Sequence, residues 1–444
     1  MSSAGAPGDE DQVLQGSRLA WRLSTAGSAG AVAGLLLVAV GLVVGRPDVT
    51  CVGAPLLLSM LWNWSSRPPE VEYLTVGPAV HEPQTAQIAA PVVIAGMPTA
   101  GALALRVGAV GYRDAHALAA MGRARTIRLS VDTARTGLHE VFRVDRVVGP
   151  QGGALRTSVG TTGAQRLLVL PGALALRDLP LPHRLQGLTG AHGSRRPGDG
   201  GDLRDVNLFA PGDRLRRIDW RVTARRASQQ GGALVDLYVR RDFATADAIV
   251  MLVVDSRDEV GPDVSGWSGW RQLRPDEATS LDIAREAAAS LARRYLAAGD
   301  RVGLDDLGRQ SRPVSPAGGN SQLRRLRHRL AVLAPDGTPK PFLRAPQVPS
   351  GSLVVVFSTF LDDEAARLAQ QWRHGGHRVL AVDVLPDLLV HALAPAVRTA
   401  YRVIQMERLD RIQELRRAGV EVLRWSSGVD VDLAALARVR VGRR

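Results

Sequence analysis

The chain has 444 residues, enough for two or three domains, and its 45% hydrophobic and 22% charged content allows most of it to fold. The formal charge is +13, carried almost wholly by arginine, with Lys340 the single lysine and Cys51 the single cysteine. One cysteine excludes a disulfide framework or a Cys-based zinc site. Aromatics at 4% and positive charge spread along the chain exclude the stacking platforms of single-strand binders, so no nucleic-acid partner is expected.

The first charge-free stretch, Ala26 to Gly45, reads AGSAGAVAGLLLVAVGLVVG, the length that crosses a bilayer as a helix. After Arg46, Pro47 and Asp48 comes a second uncharged run, Val49 to Trp64. The pair predicts two antiparallel transmembrane helices over 26–64, behind a disordered cytosolic N-terminus over 1–25. Trp21, Trp62 and Trp64 fall where an interfacial belt would lie, and Arg18, Arg22 and Arg67 flank the spans, against Arg46 in the turn. That bias puts both ends, and the body that follows, in the cytoplasm. Two readings compete: a signal peptide, against which the second run argues, and a buried helical hairpin of a soluble protein.

Residues 68–175 are rich in Val, Thr, Ala and Gly in short alternating runs, which predicts a small β-sandwich or barrel. Ile127, Leu129 and Val131 share one face of such a strand. Val141, Arg143 and Asp145 are expected on one face of another, opposite Phe142 and Val144. RDAHALAAMGRAR breaks the alternation and reads as a loop or short helix. The segment offers no catalytic spacing and is expected to be a spacer or protein-binding module.

In residues 176–245 the Gly-rich run TGAHGSRRPGDGGD predicts a flexible surface loop, and it lacks the Lys-Ser/Thr of a phosphate loop. Then comes NLFAPGDRLRRIDWRVTARR, with six arginines and two aspartates around one tryptophan. Pro211-Gly212-Asp213 is a turn. Ile218 and Trp220 are expected to anchor the segment in the core, with Trp220→Ala costing roughly 3 to 5 kcal/mol. The arginines are expected to bond the carboxylates and loop carbonyls of an irregular chain. An arginine cluster facing a phosphate or an acidic partner is the alternative.

Residues 246–444 alternate apolar strands with helices, which predicts an α/β fold: a doubly wound, mostly parallel sheet covered on both faces. Strands are expected at Ala248–Val254, RVGLDDL, GSLVVVFST, HRVLAVDVL and VEVLRW. The helix after the first strand starts at a Ser280 cap and carries Leu281, Ala284, Ala288, Leu291 and Tyr295 on one stripe. Ligands of such sheets bind at the carboxyl ends of strands, where Asp255 and Ser358 lie. His374 and His377 fall in a turn, Asp305-Asp306 has no partner base nearby, and no hydrolase, zinc-protease or nucleotide motif occurs.

The run GDLRDVNLFAPGDRLRRIDWRVTARR, with LVDLYVRRD after it, resembles the signature of domain-of-unknown-function family 58. Arg204, Gly212, Asp213, Arg217, Ile218, Asp219, Trp220, Thr223, Ala224 and Arg225 stand at the matching positions. Phe209 replaces the Tyr of many relatives. The resemblance implies a membrane-anchored protein with a von Willebrand A-like domain, encoded beside MoxR-type AAA+ ATPases. It also implies a metal site for Mg²⁺ at the sheet's carboxyl edge, built from Asp-x-Ser-x-Ser and a later Thr and Asp. This chain instead reads Asp255-Ser256-Arg257-Asp258-Glu259, and an arginine amid the ligands would repel a dication. Asp255, Ser256, Asp258 and Asp362 remain as a degenerate set. The expected function is therefore a non-enzymatic membrane adaptor that binds a MoxR-type ATPase in complex assembly or a cell-envelope process, with no cofactor and no small-molecule substrate. A metal-assisted hydrolase around Asp255 is the alternative.

Overall fold

The computed structural model describes residues 20–65, 74–95, 101–120, 122–150, 153–185, 190–229, 236–267, 273–309, 312–335, 341–389 and 394–438. The N-terminal stretch expected to be disordered falls largely on residues 1–19, outside the described residues, as do Arg18 and Arg67. The chain divides into two compact units: Met1–Ala134 with Leu138–Leu167, and Arg135–Gly137 with Leu168–Arg444.

In the first unit, helices α1 (Thr25–Val44) and α2 (Pro47–Ser65) form an antiparallel hairpin. Gly45 turns the chain between them with φ 69°. The helices cross where both lack side chains: a Cβ on Gly53 would lie 2.8 Å from the Gly34 carbonyl oxygen, and one on Gly34 would lie 3.1 Å from the Leu56 Cβ. α1 is long and apolar enough to cross a membrane by length and composition. The second expected span does not pass the same test, because Asp48, Ser59, Asn63 and Ser65 lower the hydropathy of α2.

Trp21 departs from its expected place at an interfacial belt. It lies in strand Trp21–Leu23, paired with Leu155–Thr157, and its indole is buried in the β core. Ser24 alone separates that strand from α1. It caps the helix by accepting the Gly27 N–H at 2.9 Å, and its hydroxyl donates to the Gly153 carbonyl at 2.6 Å. Trp62 and Trp64 are exposed on α2.

The β-rich part is a sandwich. One sheet centres on Gln87–Ile94, which pairs with Leu74–Val76, Val80–Glu82 and Arg125–Asp132. The other runs in the order Gly160–Thr162, Arg143–Pro150, Gly101–Gly108, Ala115–Ala120. Leu74, Val92 and Ile94 of the first meet Leu103, Leu105, Val144 and Val148 of the second in one core. Ile127, Leu129 and Val131 do share a half-buried face. Two expectations fail. Residues 115–120 are an edge strand, since alternate small side chains suffice where only Ala119 is buried. Phe142 takes φ 53°, which breaks the alternation and buries Val141 and Phe142 in succession.

In the second unit the Gly-rich segment is not a loop. Residues His192–Leu208 form one long, bulged strand antiparallel to Tyr238–Ala246. The glycines permit contact rather than freedom: a Cβ on Gly198 would lie 2.3 Å from the Ala244 Cβ, and one on Gly200 would lie 2.2 Å from the Phe243 carbonyl oxygen.

The rest of this unit is built on six strands: β1 (Ile249–Val254), β2 (Arg301–Asp306), β3 (Val314–Ala317), β4 (Leu353–Ser358), β5 (Arg378–Asp383) and β6 (Glu421–Arg424). Their order in the sheet is 3-2-1-4-5-6, with β3 antiparallel at one edge and the others parallel. β1, β4 and β5 are buried at every position, the pattern of strands covered on both sides. Val250, Leu252, Val254, Val355 and Phe357 face a core with helices α4 (Ser280–Ala297), α5 (Gly319–Ala331) and α8 (Val429–Arg438). Val253, Val354, Val356, Val379 and Ala381 face the opposite core with α6 (Glu364–His374) and α7 (Pro395–Arg417). A shorter helix, α3 (Trp220–Gln229), lies between the two long strands in sequence.

The cap of α4 is Thr279, not Ser280. The Thr279 side chain and Asp282 three residues on form a reciprocal capping box, and the Ser280 hydroxyl accepts the Val260 N–H at 3.0 Å. α4 also carries a buried polar network. Asp282 accepts the Thr136 N–H at 2.7 Å and its hydroxyl at 2.8 Å, while Arg285 donates to the Thr136 carbonyl at 2.7 Å and to Asp282 at 3.1 Å.

The close crossing of α1 and α2 generates an expectation. Gly53→Val forces the helices apart at a cost of about 1 to 3 kcal/mol. Disulfide cross-linking between cysteine pairs placed across the hairpin should fall in that variant. Gly30→Val, at a position with no heavy atom within 4 Å of the new Cβ, should leave it unchanged.

Candidate functional site

The arginine-rich segment is held by its two carboxylates. The Asp213 carboxylate accepts the Ala210 N–H at 2.9 Å across the Pro211-Gly212 turn, where Gly212 has φ 99°, and accepts from Arg241 at 3.0 Å. The Ala210 N–H, then Arg241, hold the Asp213 carboxyl below the usual carboxylate range. Asp219 accepts the Val222 N–H at 3.0 Å at the start of α3, and its own N–H donates to the Tyr238 carbonyl at 2.8 Å. Ile218 is buried and bridges Val239. The Thr223 hydroxyl, fully buried, accepts the Tyr238 N–H at 3.0 Å. Arg217 donates to the Gly198 carbonyl at 3.3 Å, and Arg204 pairs with its neighbour Asp205 at 3.3 Å.

Trp220 overturns the expectation placed on it, being 62% exposed, with Leu215 at 68%. α3 turns only Thr223 and Ala227 inward; Trp220 begins the same i, i+3, i+7 stripe, but as the first residue of the helix it lies outside that contact and stays exposed. Arg214, Arg216, Arg221, Ala224 and Arg225 are exposed on the same short segment. The motif thus buries Ile218 and Thr223 and presents an indole and a leucine among guanidinium groups.

A second constellation lies at the carboxyl edge of the sheet. The strand order reverses between β1 and β4, so the chain leaves those two strands in opposite directions and opens a crevice at their ends. Asp255 follows β1, Ser358 ends β4, and Thr359 and Asp362 follow it. Arg257 fills the gap between the carboxylates. Its Nε donates to Asp255 Oδ1 at 2.8 Å and one terminal nitrogen to Asp255 Oδ2 at 2.9 Å. It reaches both oxygens of Asp362 at 2.7 and 2.9 Å. The Ser358 hydroxyl adds a bond to Asp255 Oδ2 at 2.7 Å. The side chains of Arg257 and Asp255 are 7% and 6% exposed, against 45% for Asp362.

Burial opposes the charge on Arg257, but the hydrogen bonds and charges of Asp255 and Asp362 outweigh it and raise its pKa. Asp258 stands beside the pair, where partial burial, then the charges of Asp255 and Asp362, push its carboxyl upward. Phe360, buried and held at φ 53°, fixes the loop that carries Asp362, with its N–H donating to the Ser358 hydroxyl at 3.1 Å. Strain of this kind persists where packing over-determines it.

These residues do not fit a divalent ion. The space between Asp255 and Asp362 belongs to a guanidinium, and Ser256 is turned away, its buried hydroxyl bonded to Asp306 at 2.5 Å. Among the described residues no group of three or more His, Cys, Asp or Glu side chains is arranged to hold a metal ion. The structure therefore brings together Asp255, Asp258 and Asp362 of the expected set and leaves Ser256 out. The residue that sequence reasoning undervalued is Arg257, read as a repellent when it is the bridge. Arg408 repeats the device one strand over, pairing with Asp383 at the end of β5 and donating to the Thr359 carbonyl at 2.7 Å.

A family model described as "Protein of unknown function DUF58" matches residues 205–389, which run from the arginine-rich segment to just beyond β5. No curated protein matches the chain.

The buried carboxyls at the end of β2 predict a pH dependence. Burial pushes the Asp305 carboxyl above the ordinary range, so the folded chain holds its proton more tightly than the unfolded chain does. The stabilisation from that proton is full below the ordinary Asp value, falls as pH rises from there, and is gone above the raised value. Asp305→Asn keeps an acceptor for the Asp306 N–H, now 2.9 Å away. The variant should melt above the parent at pH 7.5, with the gap closing towards pH 4.

Proposed function

We propose that the protein is a membrane-anchored adaptor that works by contact and carries out no reaction of its own. Support comes first from α1, whose length and composition suit a bilayer span. In this reading α2 crosses back beside it, and the β-sandwich and the α/β body lie in the cytoplasm. The α/β body is taken as von Willebrand A-like on the strength of its 3-2-1-4-5-6 order with one antiparallel edge strand.

The observation that carries the reading is the outward-facing Trp220. A family-type motif that spends its carboxylates on turns and caps, yet leaves an indole and Leu215 in water among arginines, has the composition of an interface centre. Tryptophan and arginine supply most binding hot spots. A MoxR-type AAA+ ATPase, the partner that the resemblance implies, is the proposed occupant, and complex assembly or cell-envelope maintenance the proposed setting. At the sheet's carboxyl edge Arg257 closes the crevice from within, which argues for a binding role over metal-assisted hydrolysis.

The test uses the full chain in detergent and a purified MoxR-type ATPase. Trp220→Ala should change unfolding free energy by no more than about 0.5 kcal/mol, as at an exposed site. It should weaken capture of the ATPase about 30-fold, the loss of a hot spot of roughly 2 kcal/mol. A variant that melts far below the parent, or one that binds the ATPase as tightly, overturns the reading. Hydrolytic turnover by the parent chain alone would replace it with the enzymatic one.

A further inference from the structure

The crevice between β1 and β4 has the place and the donors of a cation site. Two carboxylates converge on it from different strands, and a hydroxyl from a third position, Ser358, steadies one of them. Two facing carboxylates at the end of a buried sheet, one of them, Asp255, itself buried, repel each other, and a cation between them relieves the repulsion. Here the cation is covalent. Arg257 lies two residues beyond Asp255, so bending back onto that carboxylate orders few bonds. Its planar fork matches two carboxylates at once, with four N–H···O contacts between 2.7 and 2.9 Å. A Lys ammonium, a point charge, could not span both groups in this way.

Two further features fix the arrangement. The Ser256 hydroxyl is committed to Asp306, and a Cβ on Gly308 would lie 2.2 Å from that hydroxyl, so Ser256 is pinned away from the crevice. The Phe360 turn aims Asp362 at Arg257 from the other side. We infer that Arg257 is a tethered substitute for a divalent ion: the site is complete without metal, and loss of the guanidinium uncovers a divalent-cation site formed by Asp255, Ser358 and Asp362. Binding of any partner at this edge is then indifferent to chelators, and its control lies outside the concentration of free Mg²⁺. This inference concerns the crevice alone and holds whether or not Trp220 binds an ATPase.

Calorimetric titration of the full chain in detergent with Mn²⁺ tests it. The parent should show no saturable uptake, and its melting temperature should be the same in EDTA and in millimolar MgCl₂. Arg257→Ser leaves two facing carboxylates unneutralised. It should take up one Mn²⁺ per chain saturably where the parent takes up none, and its melting temperature should rise with MgCl₂ as an ion bound only by the folded state requires. Adding Asp255→Asn to that variant should abolish the uptake. If Arg257→Ser does not fold, Arg257→Gln, which removes the charge and keeps most of the volume, takes its place. Saturable one-ion uptake by the parent that disappears in Asp255→Ala overturns the inference. So does a folded Arg257→Ser or Arg257→Gln that takes up no Mn²⁺.

Discussion

Parallel strands buried on both faces can meet polar surroundings only at their ends, and this constraint orders the α/β unit. β1, β2, β4 and β5 finish in or beside Asp255, Asp305 with Asp306, Ser358 and Asp383. Carboxylates gathered along one edge of a low-dielectric sheet must be protonated, bonded or paired. Pairing and bonding both occur here, beside burial that favours the protonated form. Asp255 and Asp383 are paired with Arg257 and Arg408, Asp306 is bonded by Ser256 and by the Gly308 N–H, and Asp305 is raised by burial. Arginine abundance gives the edge its means, because a guanidinium can satisfy a buried carboxylate in two places where an ammonium satisfies one.

The arginine-rich segment obeys the same rule on a smaller scale. Its aspartates stabilise a turn and a helix start, its β-branched residues Ile218 and Thr223 meet the strand Tyr238–Ala246, and its bulk faces water. Sequence reasoning inverted part of that. A tryptophan beside an isoleucine reads as core, but Trp220 is the first residue of α3, and on its stripe only Thr223 and Ala227, farther along, are buried. Side-chain size alone does not reveal where along a helix the contact begins.

The strands and helices of the α/β unit were legible because continuous apolar runs and helical stripes record burial directly. The crevice was legible only by half. Asp255 and Ser358 could be named from their places at strand ends, and Asp258 and Asp362 only through the family resemblance, but the role of Arg257 depends on β1 and β4 being neighbours, a fact of topology that no local pattern carries. The long strand His192–Leu208 was hidden for a different reason. Glycines that allow backbone contact and glycines that allow freedom look alike in sequence, and only the partner strand Tyr238–Ala246 tells them apart. Likewise the hydroxyl that caps α4 and the one beside it, Thr279 and Ser280, are interchangeable by type and differ only in what each faces.

Ser24 joins an apolar helix to a strand of the β-sandwich with no slack. Trp21, sunk in the sandwich core, makes the joint stiff as well as short. A body hung on such a joint cannot wander on a leash. In the membrane-anchored arrangement proposed above, this joint would hold the sandwich against the headgroups, and a change in bilayer thickness, which alters helix tilt, would swing folded protein at the membrane surface like the arm of a lever.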